Sequence, residues 1–258
     1  MTDPVVLVAR RGPARWLTIN RPERRNALSG DVLAGLVEGL RVDDDARVVV
    51  LTGAGDRVFC AGADLAAGAA ESTGLEQHEA RGGLLTLFAA MAGCPLPVIA
   101  RVNGLCLAGG VGVLLAADLA VAEESVEIGL PEVGIGLWPF MVSALLARHV
   151  SPKRALDLCM TGRRLPAAEA ADWGLLSRVA PAGQLDATVE ALCDELATKS
   201  PLTLRVGKQS WYAAAAGPSL DLALGHLQAQ LSLLAQSKDA VEGVTAFFEK
   251  RPPEWTGR

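Results

Sequence analysis

The sequence predicts an α/β protein whose last third is purely helical, and three features carry that expectation. Residues 48–52, Val-Val-Val-Leu-Thr, form a β-branched run closed by Gly53 and Gly55, as suits a parallel strand buried on both faces. Residues 98–102 are a second apolar strand, followed by a turn with glycines at 104, 109, 110 and 112 and by the apolar stretch 113–117. From Phe140 onward apolar residues recur at helical spacing. Strand, helix and strand at these intervals predict α/β units with right-handed crossovers around a parallel sheet.

Residues 5–10 and 15–20 read as a hairpin about Arg11-Gly12-Pro13-Ala14. A polar, basic loop over 20–28 leads to Ser29, which caps a helix with apolar residues at 32, 33, 36, 37 and 40 that ends near Asp43, Asp44 and Asp45. Beyond the 48–52 strand, Phe59-Cys60-Ala61-Gly62-Ala63-Asp64-Leu65 reads as a loop, and the small, polar residues 66–75 as a mobile segment. A helix over about 76–91 reaches Pro95 and Pro97, which flank the entry to the 98–102 strand. Short strands at 119–122 and 126–128 precede Pro131-Glu132. Helices are then expected over 140–149, 152–160, 166–173, 185–198, 202–215, 220–235 and 240–250. The last three are apolar on one face and carry no chemistry. They suit an oligomer interface, or simply a cover for the α/β core.

Half of the 258 residues are apolar and the formal net charge is −5, which argues against a nucleic-acid partner and against an anionic membrane surface. The five cysteines (60, 94, 106, 159 and 193) are scattered without CxxC spacing, and His78, His149 and His226 stand apart from them. Reduced thiols are expected, with no disulfide framework and no metal site. The N-terminus lacks an apolar core of signal-peptide length, and the apolar run 105–122 is interrupted by Asp118 and glycines, short of a spanning helix. A soluble, cytoplasmic protein is the expectation.

The glycine run is the first candidate site. Glycines let backbone N–H groups approach a ligand closely, and a helix opening at Gly109 or Gly110 would aim those donors at developing negative charge. Tight helix packing explains the same glycines equally well.

Several short strings occur together in one order: Asn20-Arg21-Pro22 with Asn26-Ala27-Leu28, the 59–65 loop, Pro97-Val98-Ile99-Ala100 with Asn103-Gly104, Gly109-Gly110, Pro131-Glu132, and Phe248-Glu249-Lys250-Arg251. In that order they resemble the crotonase (enoyl-CoA hydratase/isomerase) superfamily over nearly the whole chain. The resemblance implies a crotonase-like spiral of strand-strand-helix turns, here residues 1–198. A C-terminal helical region, residues 199–258, would build homotrimers, often paired into hexamers. It also implies acyl-CoA thioester substrates, with no cofactor beyond the coenzyme A that is part of the substrate.

Carried over by position, the backbone N–H groups of Ala63 and Gly109 match the family's oxyanion hole, two donors that stabilise a thioester enolate and make protons beside the carbonyl removable. Ala27, Ala61, Asp64 and Leu65 match positions lining the CoA groove, largely through backbone contacts, and Gly110, Gly112 and Pro131 adjoin the same site. Arg24, Arg25 and Lys250 are candidate phosphate partners or ordinary solvated charges. Leu231 matches a position with an aromatic CoA contact in some members. Trp138, with Phe140 and Met141, would line the acyl pocket or only pack.

The catalytic carboxylates depart from the hydratase pattern. Hydratases resembling this chain carry two glutamates, one six residues before an aspartate and one in the Pro-Glu step. Glu132 keeps the second, but counting back from Asp118 lands on Gly112, and no acid occurs over 105–117. Glu123, Glu124 and Glu127 suit a solvated turn. A side chain at Gly112 is expected to share Glu132's cavity, with Trp138 among its neighbours. A single glutamate suits enoyl-CoA isomerisation, or hydratase-like activity on an unusual acyl group, in fatty-acid or related acyl-CoA metabolism. The alternatives are a decarboxylase or C–C lyase of a malonyl-type thioester and a catalytically silent acyl-CoA-binding protein.

Overall fold

The structure, a computed structural model, describes residues 3–41, 45–64, 74–217 and 219–258, with the backbone alone over 74–81. Leu65, Asp43, Asp44 and most of the 66–75 segment lie outside the described residues.

An antiparallel hairpin of β1 (Val6–Arg11) and β2 (Ala14–Ile19) opens the chain. A short 3-10 turn (Pro22–Arg24) then leads to α1 (Gly30–Gly39), where the Ser29 hydroxyl accepts the Val32 N–H. Three passes of similar plan follow. The first is β3 (Val48–Gly53), β4 (Val58–Cys60) and α2 (Gly74–Gly93); the second is β5 (Val98–Val102), β6 (Leu105–Leu107) and α3 (Gly109–Ala116). The third runs through β7 (Leu119–Glu123), β8 (Glu127–Gly129), the 3-10 turn Pro131–Ile135 and α4 (Phe140–His149). In each pass the first strand enters one sheet and the second another. The larger sheet has the order β1-β2-β3-β5-β7-β10 and the smaller β4-β6-β8-β9. This is the expected strand-strand-helix spiral.

After α5 (Pro152–Thr161), β9 (Arg164–Pro166) closes the small sheet against β8, and α6 (Ala167–Asp172) leads to β10 (Arg178–Ala180) on the edge of the large one. Four helices complete the chain: α7 (Leu185–Ala197), α8 (Pro201–Ala215), α9 (Leu220–Leu234) and α10 (Lys238–Glu249). The 59–65 loop thus begins as strand β4, and the turn after residue 102 contains strand β6. Both strands were unexpected, because three residues are too few to show alternation.

Period-2 geometry explains why β3 is buried throughout. Val49 and Leu51 join Val98 and Ala100 in the main core, while Val48 and Val50 join Trp16, Ile99 and Val121 beneath α7, against Leu185, Val189 and Leu192. All five cysteines are free and buried. Among the described residues no cluster of His, Cys, Asp or Glu could hold a metal ion, and no helix is long and apolar enough to cross a membrane.

Buried polar groups fix the loops on which the site is built. Asn103 follows β5; its amide donates to Gly53 O at 3.0 Å and to Gly55 O at 2.6 Å, while its Oδ1 accepts from Gly53 N and the Thr52 hydroxyl. Asn26, fully buried, donates to Ala54 O and Val58 O and accepts from Arg21 N. The two asparagines set the β3–β4 connection from opposite directions. Behind the second pass, Asp118 accepts the Val98 N–H at 2.7 Å, pairs with Lys208 at 2.7 Å and accepts the Tyr212 hydroxyl at 2.9 Å. The Lys208 ammonium also donates to Met91 O and Leu96 O. Helix α8 is therefore bonded to the ends of α2 and α3. Glu123 and Glu124 accept backbone N–H groups of Gly183 and Ala182, and Glu127 pairs with Arg164, all structural roles as expected.

Candidate active site

The β4–α2 loop and the start of α3 meet at Ala63 and Gly109. In the isolated parallel bridge between Leu28 and Ala63, Leu28 N donates to Gly62 O at 2.8 Å and Asp64 N to Leu28 O at 3.1 Å. Such a bridge uses the groups flanking Ala63 and leaves Ala63's own N–H outside the ladder. Gly109 is the first residue of α3, where an N–H has no intrahelical acceptor. A Cβ built on Gly109 would lie 3.6 Å from Ala63 N, so the two residues are neighbours, and among the described residues neither N–H has a backbone acceptor. The entry to α3 is sharp: Ala108 holds φ 53°, ψ −126°, a costly conformation for an L-residue, and its N–H is anchored to Gly129 O at 3.0 Å.

The neighbouring candidate residues hold this loop in place. Asp64 pairs with Arg21 at 2.8 Å, both side chains being largely buried, and Arg21 also donates to Ala27 O at 3.0 Å. Ala61 N donates to Arg25 O, and Ala27 N to Arg24 O. The Arg24 and Arg25 side chains remain exposed beside it. Gly110 has a packing role instead: a Cβ there would collide with Cys60 O, so only glycine lets α3 lie on β4.

Glu132 sits in the 3-10 turn after β8. Among the described residues its Oε2 is buried without a hydrogen-bond partner. Burial raises its carboxyl above the ordinary value, against a lowering by its own backbone N–H. The Cys159 thiol is raised by burial and then by the Glu132 charge. An orphaned, destabilised carboxylate is suited to taking and returning a proton.

Gly112 is buried one helical turn beyond Gly109. A Cβ there would lie 2.5 Å from Phe88 Cζ, 3.3 Å from Phe88 Cε1 and 3.1 Å from Val142 Cγ2. The expected neighbour Trp138 is not among these nearest atoms; α2 and α4 supply the hydrocarbon. Trp138 and Met141 are partly buried against the main core, whereas Phe140 is 77% exposed. Pro131 is exposed beside Glu132. Leu231, 68% exposed on α9, and Lys250, exposed at the left-handed end of α10, lie on helices that pack along α8.

Residues 15–258 match the model of the enoyl-CoA hydratase/isomerase family. The chain belongs to that family. It is 36% identical over 263 residues to the Mycobacterium tuberculosis enoyl-CoA hydratase EchA19, covering 100% of this chain and 98% of the relative. It is 34% identical over 257 residues to the carnitinyl-CoA dehydratase of Proteus mirabilis, with 96% and 97% covered. The crystal structure of a Mycobacterium smegmatis enoyl-CoA hydratase superposes with a TM-score of 0.93 at 32% identity, covering 98% of this chain and 99% of that one. Membership of the enoyl-CoA hydratase/isomerase family agrees with the resemblance carried by the ordered motifs. The roles of Asn26, Asn103 and Asp118 in fixing its loops were not foreseen, although an Asn-Gly step straight after a buried strand was a usable signal. Nothing local marked Phe88.

Proposed function

We propose that this family member acts on acyl-CoA thioesters as an enoyl-CoA isomerase, with Glu132 as its single acid and base and the Ala63 and Gly109 N–H groups as its oxyanion hole. The observation that carries this reading is the ring of Phe88 at Gly112: α3 bears no acid, and a side chain one turn beyond Gly109 would begin against the hydrocarbon of Phe88 and Val142, its Cβ 2.5 Å from Phe88 Cζ and 3.1 Å from Val142 Cγ2. Syn hydration needs water held and deprotonated while C2 is protonated, a task suited to two groups. Isomerisation needs one. Glu132 takes a proton from C2 of a 3-enoyl thioester, and the C–H electron pair spreads over a dienolate whose oxygen accepts the two N–H bonds. The carboxylic acid then returns that proton to C4, leaving the double bond between C2 and C3.

The exposed apolar faces of α9 and α10, with Leu220, Leu222, Leu231, Phe247 and Phe248, support a homotrimer or a hexamer built through residues 199–258. Arg24, Arg25 and Lys250 would meet the CoA phosphates, and the setting would be the cytoplasm. The likeness to carnitinyl-CoA dehydratases favours one second reading, elimination of water from a 3-hydroxyacyl thioester by the same base.

A screen of 2-enoyl, 3-enoyl, 3-hydroxyacyl, branched and malonyl-type CoA thioesters separates these. A 3-enoyl thioester should gain conjugated-thioester absorbance at constant mass. Loss of carbon dioxide from a malonyl-type thioester, or tight binding without turnover of any substrate, would displace the proposal.

A further inference from the structure

Phe88 reaches Gly112 from another element, with 23 residues of chain between them, and the chain is built so that the two touch. Gly109 and Gly112 share one face of α3, being three residues apart. The first presents its N–H beside Ala63; the second presents bare Cα to the Phe88 ring, with Val142 of α4 closing the other side. A reactive water needs two or more polar partners to be held in place. Neither Phe88 nor Val142 has a polar side-chain atom, and the ring stands where a residue on α3 would otherwise offer one.

We propose that Phe88 is the residue that determines whether the site supports isomerisation alone or hydration as well. Its ring keeps the Gly112 side of the acyl pocket dry, so that the proton held by Glu132 passes to C4 of the dienolate and the conjugated 2-enoyl thioester so formed meets no held water that could add at its C3. The proposal rests on the isomerase reading above. Hydration, where it occurs, forms the C3–O bond from water and places a proton on C2, whereas isomerisation moves a proton from C2 to C4 with no net uptake. The balance between the two is therefore measurable in one protein.

The test compares wild type with Phe88→Ala, Gly112→Glu and the double variant, using trans-3-hexenoyl-CoA for isomerisation and crotonyl-CoA for hydration. Phe88→Ala should raise the ratio of hydration to isomerisation roughly tenfold, the scale on which a changed pocket wall alters specificity. Gly112→Glu alone should melt lower than wild type and gain no hydration, because its Cβ meets the ring. Adding Phe88→Ala should recover part of that melting temperature and give the highest hydration of the set, a coupling that a double-mutant cycle reads directly. In deuterated water, isomerisation by Phe88→Ala should place several times more solvent deuterium at C4 than wild type does. Phe88→Leu provides the same isotope readout if the alanine variant does not fold.

An unchanged ratio and unchanged deuterium content in a folded, crotonyl-CoA-binding Phe88 variant overturn the proposal, as does full hydration by Gly112→Glu alone. If wild type shows no isomerase activity and Phe88→Ala still gains hydration, the isomerase reading fails and the role of Phe88 stands. The reverse result leaves the isomerase and removes Phe88 as its determinant.

Discussion

Replacing Glu132 with Gln keeps the outline of the side chain and removes the proton carrier. General acid–base catalysis by one positioned group contributes ~10²–10⁴-fold, or about 2.7–5.4 kcal/mol at roughly 1.36 kcal/mol per decade. In the proposed isomerase Glu132 serves both proton transfers, so the expected fall in kcat lies near the upper end, on the order of 10⁴-fold. Oε2 has no partner among the described residues, and its exchange for an amide strips no donor of its acceptor; KM should stay within about twofold. The assay is the rise of conjugated-thioester absorbance from a 3-enoyl-CoA, with CoA affinity measured by calorimetry. The same variant has a second readout. Burial raises the Glu132 carboxyl, so the native chain holds that proton more tightly than the unfolded chain, and stability falls as pH rises from the ordinary carboxylate value to the raised one. Gln carries no such cost. The variant should melt at or above the wild-type temperature at neutral pH and lose that advantage in acid, while the wild-type rate falls as pH drops through the raised value. Wild-type turnover in Glu132→Gln, or a variant clearly less stable than wild type at pH 7, would refute the reasoning.

The remaining predictions concern what holds the site in place. Asp118→Ala leaves the largely buried Lys208 ammonium without its counter-ion and should cost ~3–5 kcal/mol in urea unfolding; a loss under about 1 kcal/mol would show that the pair is dispensable. Asp239 is buried, which alone would raise its carboxyl, yet hydrogen bonds from Ser200, Thr256 and Gly257 hold it below the ordinary value. Its contribution to stability is present above the unfolded-state pKa and lost as pH falls toward the native one, so Asp239→Asn should flatten the acid limb of the melting curve. Deleting residues 201–258 removes Lys208 and Tyr212 along with the apolar helices, and should give aggregated protein in size-exclusion chromatography. A soluble, active, monomeric truncation would contradict the assembly reading.

What the sequence showed depended on how far each signal extended along the chain. The strand over 48–52 and the helices beyond residue 140 were legible because burial on both faces, or a repeating apolar stripe, leaves a pattern several residues long. β4, β6, β9 and β10 were not: each has three residues, and their place in a sheet is set by neighbours supplied from other passes. The pairing of Ala63 with Gly109 could be anticipated from glycines and motif order, and the geometry brings them together. The pairing of Gly112 with Phe88 could not, since a phenylalanine within an ordinary apolar helix has nothing to distinguish it until α2 is laid across α3. Trp138, closer in sequence to Glu132, drew the expectation instead.

The Leu28–Ala63 bridge makes one donor of the proposed oxyanion hole a matter of counting. Because the bridge engages the oxygen of the residue before Ala63 and the nitrogen of the one after it, whichever residue occupies that slot keeps its N–H out of the ladder, whatever side chain it bears. The Ala63 side chain is exposed, so the slot tolerates change of identity. The step before it does not, for Gly62 runs at φ 92° and a Cβ there would press on Ala108 and Gly109 N. A point substitution at Ala63 therefore leaves the donor in place. Inserting one residue between Cys60 and Ala63 would move a different residue into the bridge, so the segment is fixed in length and at Gly62, and free in side chain at Ala63.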